Sequence, residues 1–318
     1  MLRGLAILLV VVGHSIQWTD AGFDANPLFS FIYSFHMPLF FFISGVVGAR
    51  GIRRPLLDQL RAKTLTLLVP FASWWLLVSV VQWLDDGQSP PAALLSLVKS
   101  PDVGLWFLWV LFVITLSSAV SLRLAPKRAE WAGLIGMAVL LQVARVPVLG
   151  VTMVSWYFPF FAGGLLLSDR FIRGTALDPK KRRPAELFAI VIWFGLALGW
   201  HRESLVWPAQ EWAARGGPMP RLVDMPYRYV TAAASIATAC VVVRRIAATS
   251  WAGKALGYFG RNTLEVYVSH GLFLTLFAGT GALCAPVAAA AALSGSLALA
   301  TALKRIPLLR ITLYGGRR

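Results

Sequence analysis

The chain has 318 residues, of which 58% are hydrophobic and only 14% are charged, and its formal net charge is +16. A soluble domain is about 45–50% apolar and about 25% charged, so this composition leaves too little polar surface to cover one. The abundance of apolar and aromatic residues also excludes a disordered chain. The composition therefore predicts an all-α, polytopic membrane protein.

Ten apolar segments follow one another along the chain, and each predicts a membrane-spanning helix, which uses about 20 residues. They lie near 2–18, 30–49, 64–84, 105–122, 131–147, 153–169, 186–200, 226–246, 262–279 and 285–303. Ten such spans use roughly 200 residues and leave loops of about ten residues each. We therefore expect a single membrane domain over residues 1–318 and no separate soluble domain.

The basic residues alternate with the predicted spans. If both termini are cytoplasmic, the inner segments are 50–63, 123–130, 170–185 and 247–261, and all but six of the 30 basic residues lie on the inner side. The six others are Lys99, Arg145, Arg202, Arg215, Arg221 and Arg228, and four of them lie in the outer segments 85–103 and 201–225. Because cytoplasmic loops carry an excess of Lys and Arg, we predict ten spans with both ends inside, as in a multi-pass protein of the inner or plasma membrane. This rule, together with anionic lipid, accounts for the net charge without nucleic acid.

The first predicted span carries two ionisable side chains, Arg3 and His14. Eleven residues correspond to about 1100° of helical rotation, or three turns and 20°, so the two share one face and lie roughly 16 Å apart in depth. Arg3 at the cytoplasmic rim would anchor an anionic ligand, and His14 further in would act as a base. The alternative is that Arg3 only sets topology and His14 is a bundle histidine bonded to a carbonyl.

The second span contains His36, Pro38 and the pair Ser44-Gly45. Pro38 is predicted to break the helix, which is tolerated where protein or a cavity re-satisfies the freed carbonyl. His36 lies at a depth similar to that of His14, so the two histidines would line one cavity. The alternative is that His36 caps the broken helix. Ser44-Gly45 allows close backbone approach and is our prediction for N–H donors to a developing oxyanion.

The ninth span contains Tyr267 and His270, which are three residues apart and share a helix face. We predict His270 as a further acid or base; the alternative is a hydrogen-bonded packing histidine. The two cysteines, Cys240 and Cys284, lie in apolar stretches. They provide neither a disulfide framework nor a metal-ligand cluster, so we expect no metal.

Two of these segments, "LRGLAILLVVVGHS" (residues 2–15) and "SFHMPLFFFISG" (residues 34–45), resemble the membrane-bound acyltransferase-3 family. The most similar branch is the fucose 4-O-acetylase type of sugar O-acetyltransferases. Later segments agree, namely "WFLWVLF" (106–112), "FPFFAGGLLL" (158–167) and "GRNTLEVYVSHG" (260–271). The resemblance extends over nearly the whole chain, and its two first motifs are the specific ones.

This resemblance implies an O-acyltransferase that takes an acyl group, usually acetyl, from acetyl-CoA or another acyl-CoA on the cytoplasmic side. The acceptor would be a hydroxyl of a sugar, polysaccharide or glycolipid in the cell envelope. The resemblance also makes His14 and Arg3 the functional pair. The family's Arg-x-Arg element is matched by Arg61-Ala62-Lys63, whose Lys binds phosphate as a point charge without the bidentate fork. We therefore expect Arg3, Arg61 and Lys63 to hold the phosphates of the donor, with direct transfer assisted by His14.

A secondary transporter or exporter of a glycan or lipid is the alternative function. Transporters of this kind carry corresponding broken helices in both halves of the chain. Here one break is predicted, near Pro38, and no repeat of fixed period accompanies it. This difference favours the acyltransferase.

Overall fold

The computed structural model describes residues 1–86, 104–126, 128–144, 148–173, 179–202, 204–217 and 219–316. These residues form helices and the turns that connect them, and no β-strand occurs among them. The predicted all-α class is therefore confirmed for the described part of the chain.

The α-helices of the described ranges are numbered here in chain order. They are α1 (Leu2–Thr19), α2 (Pro27–Tyr33), α3 (His36–Gly48), α4 (Leu56–Lys63), α5 (Val69–Asp86), α6 (Trp106–Leu124), α7 (Glu130–Ala144), α8 (Val151–Arg173), α9 (Pro179–Ala197), α10 (Trp207–Ala214), α11 (Arg221–Arg245), α12 (Trp251–Arg261), α13 (Thr263–Leu274), α14 (Ala285–Leu303) and α15 (Pro307–Tyr314). A π-helical stretch, Thr64–Leu68, joins α4 to α5.

Within the described residues, seven helical stretches are long and apolar enough to cross a membrane. They are Leu2–Thr19, Pro27–Gly48, Leu56–Val80, Trp106–Leu124, Val151–Asp169, Arg221–Arg245 and Ala282–Leu303. Two further apolar helices, Glu130–Ala144 and Thr263–Phe277, are shorter. Helix α9 overlaps the predicted span 186–200 but begins and ends earlier, and it is not among the seven stretches. The apolar helices agree with a membrane protein. The count of ten spans and the cytoplasmic placement of both ends stay predictions, and most of the predicted loop 85–103 lies outside the described residues.

The chain divides into two compact units, the first formed by Met1–Phe40 with Arg173–Leu297 and the second by Phe41–Ile172 with Ala298–Arg318. In the first unit α1 is central and contacts α2, α11, α12 and α13. Gly4 lies where α1 crosses α12, and a Cβ atom there would overlap the carbonyl oxygen of Leu256. Gly13 faces the opposite way, and its Cβ would lie 2.8 Å from the ring of Tyr33 on α2. Because α1 is covered on both sides, His14 is held among packed helices.

The second predicted span is broken into α2 and α3. The side chain of Asn26 caps α2 by accepting a hydrogen bond from the backbone N–H of Leu28 at 3.0 Å. The helix ends at Tyr33, and α3 begins at His36. Pro38 therefore lies in the first turn of α3, where its missing N–H costs no helical hydrogen bond. The break predicted at Pro38 occurs instead between Tyr33 and His36, because proline is accommodated at the start of the new helix.

The predicted inner segment 247–261 contains the helix α12. The hydroxyl of Ser250 caps it by accepting from the backbone N–H of Gly253 at 3.1 Å. Gly253 and Leu256 are buried, whereas Trp251 at the first position is exposed. A helix of 11 residues is too short to span the bilayer. The short helix agrees with the prediction that this segment lies between spans, but it is an amphipathic helix rather than an irregular loop.

In the second unit, α3 and α8 approach each other through glycines. A Cβ atom at Gly45 would overlap the carbonyl oxygen of Phe161, and one at Gly164 would overlap that of Phe42. Small residues at such crossings let helix backbones pack closely in membranes, where lipid offers no hydrophobic driving force between helices. Gly45 therefore has a packing role in this unit.

Candidate functional site

Two imidazoles in the first unit form the centre of the candidate site. The Nδ1 atom of His14 on α1 lies 2.8 Å from Nε2 of His270 on α13, which is a hydrogen-bonding distance. The two rings are nearly parallel, with an interplanar angle of 14° and centroids 5.1 Å apart. His270 is buried, with 4% of its surface exposed, and His14 is half-buried. The two strongest histidine candidates from the sequence are therefore direct partners.

His270 is held by its own helix as well as by His14. Its Nδ1 atom donates to the carbonyl oxygens of Tyr267 at 2.8 Å and Val266 at 3.1 Å. All residues from Leu264 to His270 are buried, so α13 has no solvent-facing side in this stretch. The alternative interpretation of the sequence was a packing histidine held by hydrogen bonds. The contacts of Nδ1 fit that interpretation, whereas Nε2 contacts His14.

His36 makes a different contact. Its Nδ1 atom donates at 3.0 Å to the carbonyl oxygen of Ile32 in the last turn of α2, which also accepts from the backbone N–H of Phe35 at 3.2 Å. His36 therefore caps the broken helix, as the alternative interpretation of the sequence stated. Its ring is buried against Tyr33, with centroids 4.6 Å apart.

Tyr33 lies near both histidines that we predicted in one cavity. Its ring centroid lies 6.2 Å from that of His14 and 4.6 Å from that of His36. Its hydroxyl donates to Oε1 of Gln17, one turn beyond His14 on α1, at 2.6 Å. His14 and His36 thus lie near the same tyrosine ring, although no hydrogen bond joins the two imidazoles in the described part of the chain.

Arg202 covers the outer side of this tyrosine. The central carbon of its guanidinium lies 5.1 Å from the Tyr33 ring centroid, within cation–π range. Its backbone N–H donates to Asp24 at 3.3 Å. Neither Tyr33 nor Arg202 was predicted as a site residue. The sequence did distinguish Arg202, because it is one of the six basic residues that do not lie on the predicted cytoplasmic side.

The segment that carries Arg202 is tied to α11 by a buried ion pair. Nε of Arg228 lies 2.8 Å from Oδ2 of Asp224, and Oδ1 of Asp224 accepts from the backbone N–H of Val206 at 2.9 Å. Arg228 also donates to the carbonyl oxygen of Ser204 at 2.7 Å, and its guanidinium lies 5.3 Å from the Trp200 ring centroid. We call these contacts the Asp224 clamp. They hold Ser204 and Val206 against α11, close in sequence to Arg202.

Arg3, predicted to bind the donor, lies in the first turn of α1. A Cβ atom at Gly260 would lie 3.6 Å from Cβ of Arg3, so the end of α12 packs beside it. Burial, the charge of Arg3 and the charge of Arg261 together lower the pKa of the amino group of Met1. Arg261 therefore adds a second guanidinium charge at this end of α1. The sequence pattern gave Arg261 only a topological role, because its proximity to Arg3 depends on the tertiary packing of α12.

The other predicted donor residues lie in the second unit. Arg61 and Lys63 are in the last turn of α4, where Arg61 is exposed and Lys63 is half-buried. Ser44 and Gly45 lie inside α3, where backbone N–H groups bond to carbonyls four residues earlier. That the backbone N–H groups of Ser44 and Gly45 donate hydrogen bonds to an oxyanion stays a prediction. Among the residues that the structure describes, no three His, Cys, Asp or Glu side chains come together as metal ligands would.

Comparison with known proteins identifies two relatives and a family. Over 179 residues the chain is 32% identical to nodulation protein NolL of Mesorhizobium japonicum and 29% identical to that of Sinorhizobium fredii. These matches cover 52% of this chain and 46% and 47% of the two relatives, so they extend over about half the length of each relative. No solved structure matches the chain. A family model described as an acyltransferase domain matches residues 1–305, and the chain therefore belongs to the acyltransferase-3 family.

Proposed function

We propose that this protein is an integral membrane O-acyltransferase of the inner or plasma membrane. It moves an acyl group, with acetyl as the first choice, from acyl-CoA on the cytoplasmic side to a hydroxyl of a sugar, polysaccharide or glycolipid. The observation that carries the proposal is the half-buried His14 imidazole, held within a predicted span by a buried histidine partner. Ionisable groups inside spans are costly and are retained where they serve a function.

His14 is the general base in this proposal. A positioned imidazole that takes the acceptor's proton in the transition state contributes typically about 10²–10⁴-fold to the rate. The residue is half-buried, and the acceptor hydroxyl would approach the ring nitrogen that His270 leaves unbonded. His36 packs against the Tyr33 ring in this proposal and is not a base, because its Nδ1 bonds to the carbonyl of Ile32 at the helix break.

Arg3 and Arg261 bind the phosphates of the donor at one end of α1. Guanidinium groups suit this task because their planar fork matches phosphate oxygens. Arg3 and His14 are eleven residues apart on one helix, which is roughly 16 Å along the axis. The pantetheine arm of CoA is long enough to place its thioester across that distance.

The acceptor binds on the side of Tyr33 and Arg202 in this proposal. An aromatic face packs against the apolar face of a sugar ring, and a guanidinium supplies several donors to hydroxyl oxygens. Tyr33 on α2 lies beside His14 in the first unit. Arg202 lies over the Tyr33 ring and belongs to the segment that the Asp224 clamp ties to α11. The chemistry of Tyr33 and Arg202 therefore favours a polyhydroxylated acceptor.

The test uses the purified protein in detergent with acetyl-labelled acetyl-CoA and measures thioester cleavage and transfer to added sugar acceptors. We expect His14→Gln to lower turnover by about 10²-fold or more, because glutamine keeps hydrogen bonding but does not accept the proton. The matched control is His201→Gln. His201 lies in the predicted outer segment and makes no hydrogen bond or ring contact with His14 in the described residues, so this variant should retain turnover. Acetyl-CoA binding should survive both changes. Turnover by His14→Gln equal to wild type would refute the base, and an absence of any acetyl-CoA binding would favour the transporter.

A further inference from the structure

We propose that His270 is a positioning residue that holds His14 in one tautomer, so that Nε2 of His14 is the atom that takes the acceptor's proton. This inference rests on the proposed function, and it adds which nitrogen acts and what orients it. It follows from a count of donors and acceptors along three consecutive groups: a pair of backbone carbonyls, His270 and His14.

The carbonyls of Tyr267 and Val266 fix the position of the hydrogen on the His270 ring. A carbonyl oxygen can only accept a hydrogen bond, and both lie within 3.1 Å of Nδ1 of His270. The hydrogen of the His270 ring is therefore on Nδ1. A neutral imidazole has one N–H and one bare nitrogen, so Nε2 of His270 is an acceptor.

The acceptor on His270 in turn determines which nitrogen of His14 carries the hydrogen. Nε2 of His270 is 2.8 Å from Nδ1 of His14, and an acceptor at that distance requires a donor. The hydrogen must therefore be on Nδ1 of His14, because the opposite tautomer would place two lone pairs against each other in a buried contact. This leaves Nε2 of His14 without a hydrogen, and no described residue makes a hydrogen bond to it.

Burial and packing make the arrangement directional. His270 lies in a fully buried stretch of α13, so its Nδ1 hydrogen has no water to turn toward. His14 is half-buried. The chain of hydrogen bonds thus begins at buried carbonyls and ends at the bare Nε2 of His14.

The transfer then balances without any further reactant. The acceptor's hydroxyl proton moves to Nε2 of His14 as its oxygen forms a bond to the thioester carbonyl carbon. The carbon–sulfur bond breaks, and the leaving thiolate takes the proton from Nε2. Nδ1 keeps its hydrogen throughout and donates to His270 more strongly while the His14 ring is charged.

Three substitutions separate positioning from simple packing. His270→Gln keeps an oxygen acceptor near the former Nε2 position, whereas His270→Leu keeps volume without an acceptor. Ser269→Ala is the matched control, because Ser269 is equally buried on the same helix but bonds only to the carbonyl of Glu265. We expect the leucine variant to lose about 10²-fold or more in kcat, with an unchanged KM for acetyl-CoA. In a Ser-His-Asp triad, replacing the aspartate that orients the histidine gives the wrong tautomer and lowers kcat by about 10⁴-fold.

The glutamine variant should restore at least tenfold of that loss, and the alanine control should match wild type. Equal impairment of the glutamine and leucine variants, or an active leucine variant, would overturn the inference. Rescue by glutamine would support it, because a packing role alone does not require an acceptor.

A spectroscopic measurement works even if the protein transfers no acyl group. In protein labelled with ¹⁵N-histidine, the nitrogen shifts of a ring report which nitrogen is protonated, and the His14→Gln spectrum assigns the His14 signals among four histidines. We expect Nδ1–H and a bare Nε2 in wild type and a shift toward Nε2–H in His270→Leu. A protonated Nε2 in neutral wild type would overturn the tautomer. An inactive protein with the expected spectrum would refute only the proposed function.

Discussion

Asp224→Asn is the substitution whose effect the structure determines most directly. The carboxylate of Asp224 pairs with Arg228, four residues later on α11, and both side chains are mostly buried, with 12% and 16% exposed. A second pair with the same spacing, Glu211 and Arg215, has 44% and 78% of its side chains exposed. Asparagine removes the charge and leaves the Arg228 guanidinium without its counter-ion. Glu211→Gln does the same to the exposed pair and is therefore a matched control.

Burial sets the expected magnitudes. Breaking a buried ion pair costs about 3–5 kcal/mol, because the remaining charge is uncompensated. Arg228 keeps its bond to Ser204 and its contact with Trp200, so we expect the lower end, about 3 kcal/mol. An exposed pair at this spacing contributes about 0.3–0.5 kcal/mol. With about 2–4 °C per kcal/mol, Tm should fall by about 6–12 °C for Asp224→Asn and by less than about 2 °C for Glu211→Gln.

The assay is thermal unfolding of the purified variants in one detergent at one scan rate, followed by the fluorescence of the 13 tryptophans. The double variant Asp224→Asn with Arg228→Met should regain part of the lost stability, because the stranded charge is gone. Equal losses in the buried and exposed pairs would refute the argument from burial. No recovery in the double variant would show that the loss comes from the Val206 contact and not from the uncompensated charge.

Three further predictions test packing, topology and donor binding. Gly164→Ala should lower stability by about 1–3 kcal/mol through overpacking, whereas Gly163→Ala, whose Cβ meets nothing within 4 Å, should not, and equal effects would contradict the close α3–α8 crossing. In a background without the native cysteines, Ala214→Cys should react with an impermeant thiol reagent from outside sealed cells and Arg50→Cys should not; the reverse would invert the predicted orientation. Arg3→Ala should weaken acetyl-CoA binding and reduce its dependence on salt, measured by titration calorimetry, and unchanged binding would remove Arg3 from the donor site.

Hydropathy predicts much of this fold because a spanning helix must satisfy its backbone within itself, so a long apolar segment has few other structures open to it. The helix over Leu2–Thr19 is an example, predicted at 2–18. The exact break in the second span was not predictable from Pro38 alone, since proline is compatible with the first turn of a helix as well as with its end. The helix α12 was missed because its apolar residues matter only where they meet α1.

The candidate site was predictable in its members and not in its contacts. His14 and His270 each stand out as ionisable residues within spans, yet 256 positions separate them, and only the packing of α13 on α1 brings the rings together. His36 stands out equally in the sequence, but its position at the start of α3 gives it the carbonyl of Ile32 instead. Residue type thus indicates a possible acid or base, and local backbone geometry decides which of its nitrogens is available.

A histidine partner also suits a base inside a membrane for an electrostatic reason. In soluble Ser-His-Asp sites the orienting group is a carboxylate, which brings a negative charge. Within a span such a charge carries a large desolvation cost, whereas a neutral imidazole accepts the same hydrogen bond without one. Glu265 is on the same helix, but five residues place it about 140° around from His270, so its carboxylate does not point along the His14 face. In the proposed function, the His14–His270 pair therefore fixes the direction of the base without adding a negative charge to the site.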